Sequence, residues 1–167
     1  MSTEAMNSRF PGVQKRIYQT AKVGSAAGWT VNAGADSFMA TCAASQTSGM
    51  LVIPLNGLNV GDRIDGYNLV GQIESAGNTA TLDCDLYQSI AVAAASTHTA
   101  ISGTDMAQIS VASDTAITKA NSTKTFATSS RVIVEEGKAY FLRLNATTAA
   151  STDVEFLAAV LHITPNV

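Results

Sequence analysis

The sequence predicts an all-β protein: a two-sheet antiparallel β-sandwich of jelly-roll type, preceded by an extended N-terminal arm. Three observations predict it. Residues 51–87 read LVIPLNGLNVGDRIDGYNLVGQIESAGNTATLDCDLY, an apolar run, a turn, and two alternating segments around Ser75-Ala76-Gly77-Asn78. Only 14% of the residues are charged, against about a quarter in ordinary domains. Helix formers such as Lys, Glu and Gln are sparse, while Thr, Val and Ile recur at alternate positions, as strands require. The 167 residues suffice for one domain with a substantial core.

Residues 1–27 read as the arm. Pro11 and Gly12 break it, and Gly24 to Gly28 forms a hinge; a short amphipathic helix over 13–21 is the alternative. Four basic residues, Arg9, Lys15, Arg16 and Lys22, face one acid, Glu4, within residues 1–22, a balance of +3. The rest of the chain carries six basic and twelve acidic residues, a balance of -6. A basic arm thus precedes an acidic body, and docking of the arm on an acidic neighbour is the sharper reading beside a merely solvated tail. Four charges fall short of a nucleic-acid-binding patch. The polar N-terminus has no apolar core of a signal peptide, and no apolar run approaches the ~20 residues of a membrane span.

The body, 28–167, opens with strands at 29–33 and 37–43 around a Gly34-Ala35-Asp36 turn. Met50–Leu55 is apolar, and Pro54 marks a strand end or sheet edge. Asn56-Gly57 and Val60-Gly61-Asp62 are turn signals. Within 67–86 the alternation predicts a hairpin pairing Ile73 with Ala80, Gly71 with Leu82, Leu69 with Cys84 and Tyr67 with Leu86 on the inner face. Glu74, Gln72, Val70 and Asn68 then oppose Thr79, Thr81, Asp83 and Asp85 outside, because a slip by one residue would invert every side chain. Residues 89–103, rich in Ala, Ser and Thr without a period, read as a loop. Strands follow at 105–112, less clearly at 115–126, and at 131–134. A Glu135-to-Lys138 turn leads into 139–145, with Tyr140, Leu142 and Leu144 inward and Phe141, Arg143 and Asn145 outward. The last segment, 154–163, is apolar at both alternating sets, which predicts cover on both sides. A neighbouring subunit seated on Leu157, Leu161 and Ile163 is the favoured cover, ahead of a loop or arm of the same chain. About nine or ten strands separated by turns indicate the jelly roll, with an up-and-down barrel second.

The chemistry-bearing residues are few. His98, in a Ser/Thr stretch, and His162 have no partner at metal-ligand spacing, and no G-x-S-x-G marks a nucleophile. Asp62, Asp65 and Asp36 lie near turns. Asp83 and Asp85 share one strand face about 7 Å apart, which could serve Ca²⁺ binding or glycoside hydrolysis. No tandem acidic loop accompanies them, and at 6% of the chain aromatics are few for the ring-lined groove that hydrolysis usually needs. Solvated or cross-strand-paired carboxylates are the default. Trp29, Tyr67 and Tyr87 are the candidate sugar-stacking rings, with Trp29 better suited to plugging the sandwich. Cys42 and Cys84 read as buried thiols, pairing only if their strands face each other. Neither a cofactor nor a metal is expected.

The run 51–86, with GWTVNA at 28–33, AQISVASDTAI at 107–117 and AYFLRLNATTAASTDVEF at 139–156, resembles β-rich virion structural proteins of tailed phages and related viruses. That resemblance implies a non-enzymatic component of the virion: a capsid decoration or cement protein, or a head-fibre component. The alternative is a carbohydrate- or receptor-binding adhesin module of a tail or fibre. Its implied partners are a major capsid protein or another virion protein and further copies of itself, a trimer first among ring-forming assemblies. In this reading Arg9, Phe10, Lys15 and Arg16 anchor the arm, and the body folds without residues 1–22.

Overall fold

The computed structural model describes residues 15–19, 28–31, 40–75, 80–92, 95–106, 109–111, 118–150 and 152–166. Twelve strands run through them: β1 Lys15–Gln19, β2 Trp29–Val31, β3 Ala40–Cys42, β4 Gly49–Pro54, β5 Arg63–Ser75, β6 Ala80–Val92, β7 Ala95–Ala100, β8 Ile109–Val111, β9 Thr118–Thr125, β10 Val132–Ile133, β11 Lys138–Thr148 and β12 Thr152–Thr164. They form a seven-stranded sheet ordered β10-β5-β12-β3-β2, with β9 also on β5 and β1 also on β12. The second sheet has five strands, ordered β4-β11-β6-β7, with β8 also on β6. Every pairing is antiparallel. Successive strands β3, β4, β5 and β6 alternate between sheets. After β7 the chain returns through β9 to the first sheet, crosses to β11 and closes on β12. The resulting orders β3-β12-β5-β9 and β4-β11-β6-β7 are those of a jelly roll.

The expected hairpin of β5 with β6 is corrected. β5 pairs with β12, β9 and β10, and β6 pairs with β11, β7 and β8. The two strands belong to opposite sheets and stack across the core. Alternation had sorted inside from outside: Tyr67, Leu69, Leu82, Cys84 and Leu86 are all buried. It could not say whether two inward faces lie side by side or face to face, because both arrangements bury the same residues. The tie between the layers is Tyr67, whose hydroxyl lies 2.7 Å from the Cys84 carbonyl oxygen and 2.9 Å from that of Thr104. Its ring meets Phe126 edge-on at 5.9 Å. Burial pushes the Tyr67 phenol far above its ordinary pKa, so it stays a neutral donor.

β12 explains its own two-sided pattern. A bulge between Phe156 and Ala158 shifts the phase of the strand by one residue. Val154 and Phe156 point inward before it; Ala159, Leu161 and Ile163 point inward after it, all buried. Leu157, at the bulge, is 39% exposed. Opposite the bulge, a side chain on Gly71 would collide with the Glu155 carbonyl. Leu161 and Ile163 are therefore core residues, and the expectation that they meet a neighbouring subunit is corrected; of the three, only Leu157 offers surface.

The arm is corrected in the same region. Residues 15–19 are strand β1, not a helix, and pair with residues 159–163 of β12. Ile17 packs against the core. The buried Gln19 amide donates to the Asn56 carbonyl at 2.8 Å and accepts from its N–H at 3.1 Å. A boundary at residue 27 would cut this strand out of the sheet it belongs to. Other shifts are smaller. Within 89–103, read as a loop, residues 89–92 and 95–100 are strand: β6 runs to Val92 and β7 pairs back on it. Among the described residues of 105–112, Ile109–Val111 form β8 and residues 105–106 are not strand. Cys42 and Cys84 are free and buried, and burial first, with Asp153 second, pushes the Cys42 thiol up to about 11.

Candidate functional site

Antiparallel pairing places the outward residues of β4, β11 and β6 in rows. Pro54, Phe141 and Tyr87 form one row, Val52, Arg143 and Asp85 the next, and Met50, Asn145 and Asp83 the third. Ala139, Ser89 and His98 extend the face on the other side of the aromatic row. The inward residues between them, Leu142, Leu144, Leu86 and Cys84, are buried, so the core holds the outer side chains in register. One end of this face is apolar and aromatic, the other acidic.

Phe141 and Tyr87 stack at 5.3 Å with 22° between their planes. The Arg143 guanidinium lies 4.3 Å from the Tyr87 centroid, a cation–π contact. Tyr87 is thus flanked by Phe141 and Arg143 and is only 9% exposed. His98 meets Phe141 edge-on at 5.7 Å. Beside these rings runs a groove of about 510 Å³, lined by Met50, Val52, Pro54, Phe141 and Arg143 among others. Val52 is 41% exposed on β4, the edge of this sheet.

Next to the groove, and sharing Arg143 with it, is a hollow of about 270 Å³ lined by Asp83, Asp85, Asp105 and Asn145. Partial burial, then the Asp85 charge, raises the Asp83 carboxyl above its ordinary range; Arg143 and a hydrogen bond from Asn145 offset this in part. Partial burial, then Asp105, raises Asp85 against Arg143 and Lys124. Carboxylates outnumber cations around the hollow, so the neighbouring charge adds to the effect of burial at both groups. Among the described residues no group of three or more His, Cys, Asp or Glu is arranged to hold a metal ion.

The turn carboxylates Asp62 and Asp65 are engaged within the fold. Asp62, buried, accepts from the backbone N–H groups of Asn59 at 2.9 Å and Asn166 at 3.1 Å. Asp65, also buried, meets Arg63 at 2.7 Å, Arg131 at 3.4 Å and the Thr164 hydroxyl at 2.5 Å. They fasten loops to the sandwich end. Trp29 and Tyr67 are buried, which removes two of the three candidate stacking rings. Lys15 is half-buried and Arg16 exposed on β1, the latter opposite His162. Arg9, Phe10 and Asp36 lie outside the described residues. The outward placement of Phe141, Arg143, Asp83 and Asp85 follows from alternation in the sequence. Their convergence with Tyr87 and His98 does not, because it depends on the β11–β6–β7 register.

No protein-family model and no curated relative matches the chain. Solved structures that resemble it do so at low identity. A chain of infectious bursal disease virus, Gx strain, is 11% identical with a TM-score of 0.44, over 93% of this chain and 34% of that one. The enzymatically active domain of bacteriophage CBA120 tailspike protein 4 is 8% identical with a TM-score of 0.38, over 88% and 19%. The xylan-binding module CBM15 is 14% identical with a TM-score of 0.41, over 93% and 99%. This chain spans about a third or less of the first two. At these scores the likeness assigns neither activity nor ligand.

Proposed function

We propose that this chain is a non-enzymatic virion structural protein, of capsid-decoration, cement or head-fibre type, whose contact surface is the outer face of its five-stranded sheet. The observation that carries the contact surface is the continuous strip from the Pro54–Phe141–Tyr87 row through Arg143 to the acidic hollow. Protein interfaces favour such a composition: Met, aromatic and Arg side chains around an apolar centre with a polar border. Val52 and Pro54 put the apolar part at the sheet's open edge, where a partner can approach. The sequence resemblance supports the virion. Partners in this reading are a capsid or other virion protein and further copies of the chain.

A glycan- or receptor-binding adhesin is the second reading, favoured by a groove lined by His98 and Phe141 that shares Arg143 with a hollow rich in hydrogen-bond acceptors. Against it, Trp29 and Tyr67 are in the core and Tyr87 is nearly buried, stacked on Phe141 and contacted by Arg143, so little flat aromatic surface is left for a sugar. Sedimentation with particles of the encoding virus that lack this protein tests the first reading. Phe141→Ala and Arg143→Glu should each lower particle-bound protein at least about tenfold, the effect of losing a central anchor, with unchanged unfolding midpoints. Undiminished binding by both variants would sink the contact face. Retention on a glycan array without retention on particles would support the second reading instead.

A further inference from the structure

The strip on the five-stranded sheet has two chemically different halves that touch. A ligand filling both would carry an apolar, preferably aromatic, group beside a cation. The cation would sit among Asp83, Asp85 and Asp105, where Arg143 is the one basic lining residue. The aromatic group would enter the groove beside Phe141 and Pro54. The whole sequence contains one dipeptide that joins a basic residue directly to an aromatic one, Arg9-Phe10. It lies in the basic N-terminal segment, and the rest of the chain is acidic.

We propose that this face binds the N-terminal segment of a neighbouring copy, with Phe10 in the groove and Arg9 in the acidic hollow. The inference rests on the reading of this face as a contact surface and names its occupant. Charge complementarity is the first argument: ahead of β1, Arg9 is the one basic side chain of residues 1–14, and it meets a hollow with more carboxylates than cations. Chemistry at the residue level is the second. Pro11 holds Phe10 extended, and the long Arg9 stem can reach sideways to a carboxylate while the ring occupies the groove.

Chain length assigns the segment to a second copy. Five residue steps separate Phe10 from Lys15, the first residue of β1, which is about 17 Å of fully extended chain. β1 belongs to the seven-stranded sheet, roughly 10 Å behind the five-stranded one. With sheets roughly 10 Å and strands about 5 Å apart, a path from there round β4 to the outer side of β11 is about as long as the whole segment. A neighbour's groove meets no such constraint, and head-to-tail use of one arm and one groove links copies into a ring or array.

The test uses the full chain with Phe10→p-benzoyl-phenylalanine, prepared as an equal mixture of isotope-labelled and unlabelled protein. Irradiation should join position 10 to residues 50–54 or 139–143, with labelled and unlabelled peptides mixed in the product. Products confined to one isotope, cross-links elsewhere, or no cross-link would overturn the proposal. Charge exchange supplies an independent readout. Arg9→Asp and Asp105→Arg, the latter at an exposed loop position, should each weaken self-association about tenfold by sedimentation, and the double variant should restore it. A double variant no stronger than either single one would also overturn it. Loss of particle binding by Phe141→Ala together with absent cross-linking would retain the contact face and discard only this occupant.

Discussion

Carboxylates gather at two places in this molecule, and they are treated in opposite ways. At the sandwich end, Asp62 and Asp65 are buried and engaged by backbone N–H groups, arginines and a threonine hydroxyl. The same end receives β1, held by the Gln19–Asn56 amide exchange. On the outer face of the five-stranded sheet, Asp83, Asp85 and Asp105 share Arg143 as the one basic lining residue of their hollow. The difference separates charges that hold a fold together from charges held in readiness by one. Satisfied buried carboxylates are structural; Asp83 and Asp85, raised first by partial burial and then by a neighbouring carboxylate, are open to a counter-charge.

Removing the fastened end should have the largest effect. Deletion of residues 1–22 strips β1 from β12, leaves a row of backbone groups unpaired and uncovers the flank of Leu161. It should abolish cooperative thermal unfolding, whereas deletion of residues 1–14 should keep the midpoint within about 2 °C. A cooperative, parent-like transition in the longer deletion would make β1 dispensable and return the arm boundary to residue 27. Next comes Asp65→Ala, expected to lower stability by about 2–3 kcal/mol in urea unfolding. The loss stays in that range because the Arg63 and Arg131 side chains are already about a third exposed.

The smallest effect should come from the other cluster. Asp83→Asn with Asp85→Asn should leave stability at pH 7 equal to the parent or higher, by no more than about 1 kcal/mol after solvent screening. The sign follows from the raised carboxyls: the folded state holds their protons more tightly than the unfolded chain does. The parent therefore gains on the variant as pH falls through that raised range, and the gap should close between pH 7 and pH 4. Destabilisation by this pair comparable to Asp65→Ala would erase the distinction between the clusters.

Much of the fold was legible because alternation is a direct record of burial. The inward and outward sets of β5, β6 and β11 could be read residue by residue. Sheet membership could not, because β5 and β6 show the same pattern whether paired or stacked. β12 was legible in part: Ala158 and Val160 are buried on its other face, as two-sided cover predicts, while one extra residue at Leu157 moves the inward set from Val154 and Phe156 to Ala159, Leu161 and Ile163. β7 escaped notice because Ala, Ser and Thr give an edge strand little hydrophobic contrast, although Thr97 and Thr99 are the β-branched residues that strands favour. For the candidate site, Phe141, Arg143, Asp83 and Asp85 were visible as outward residues. Their assembly with Tyr87 and His98 required register, which no short stretch of sequence contains.

The placement of β12 at the centre of the larger sheet has a consequence for biosynthesis. β1, β3 and β5 all pair with it, yet it leaves the ribosome after the other eleven described strands. Until then β5 can gain only β9 and β10, and β1 has no described neighbour. A nascent chain can zip β6 with β7 and then β4 with β11, but the seven-stranded sheet must wait for residues 152–164. Pairings of such long sequence separation form slowly, and the open strands are vulnerable to wrong partners in the interval. Truncation from the C-terminal side should therefore leave half a sandwich with its core uncovered, rather than a slightly shorter protein.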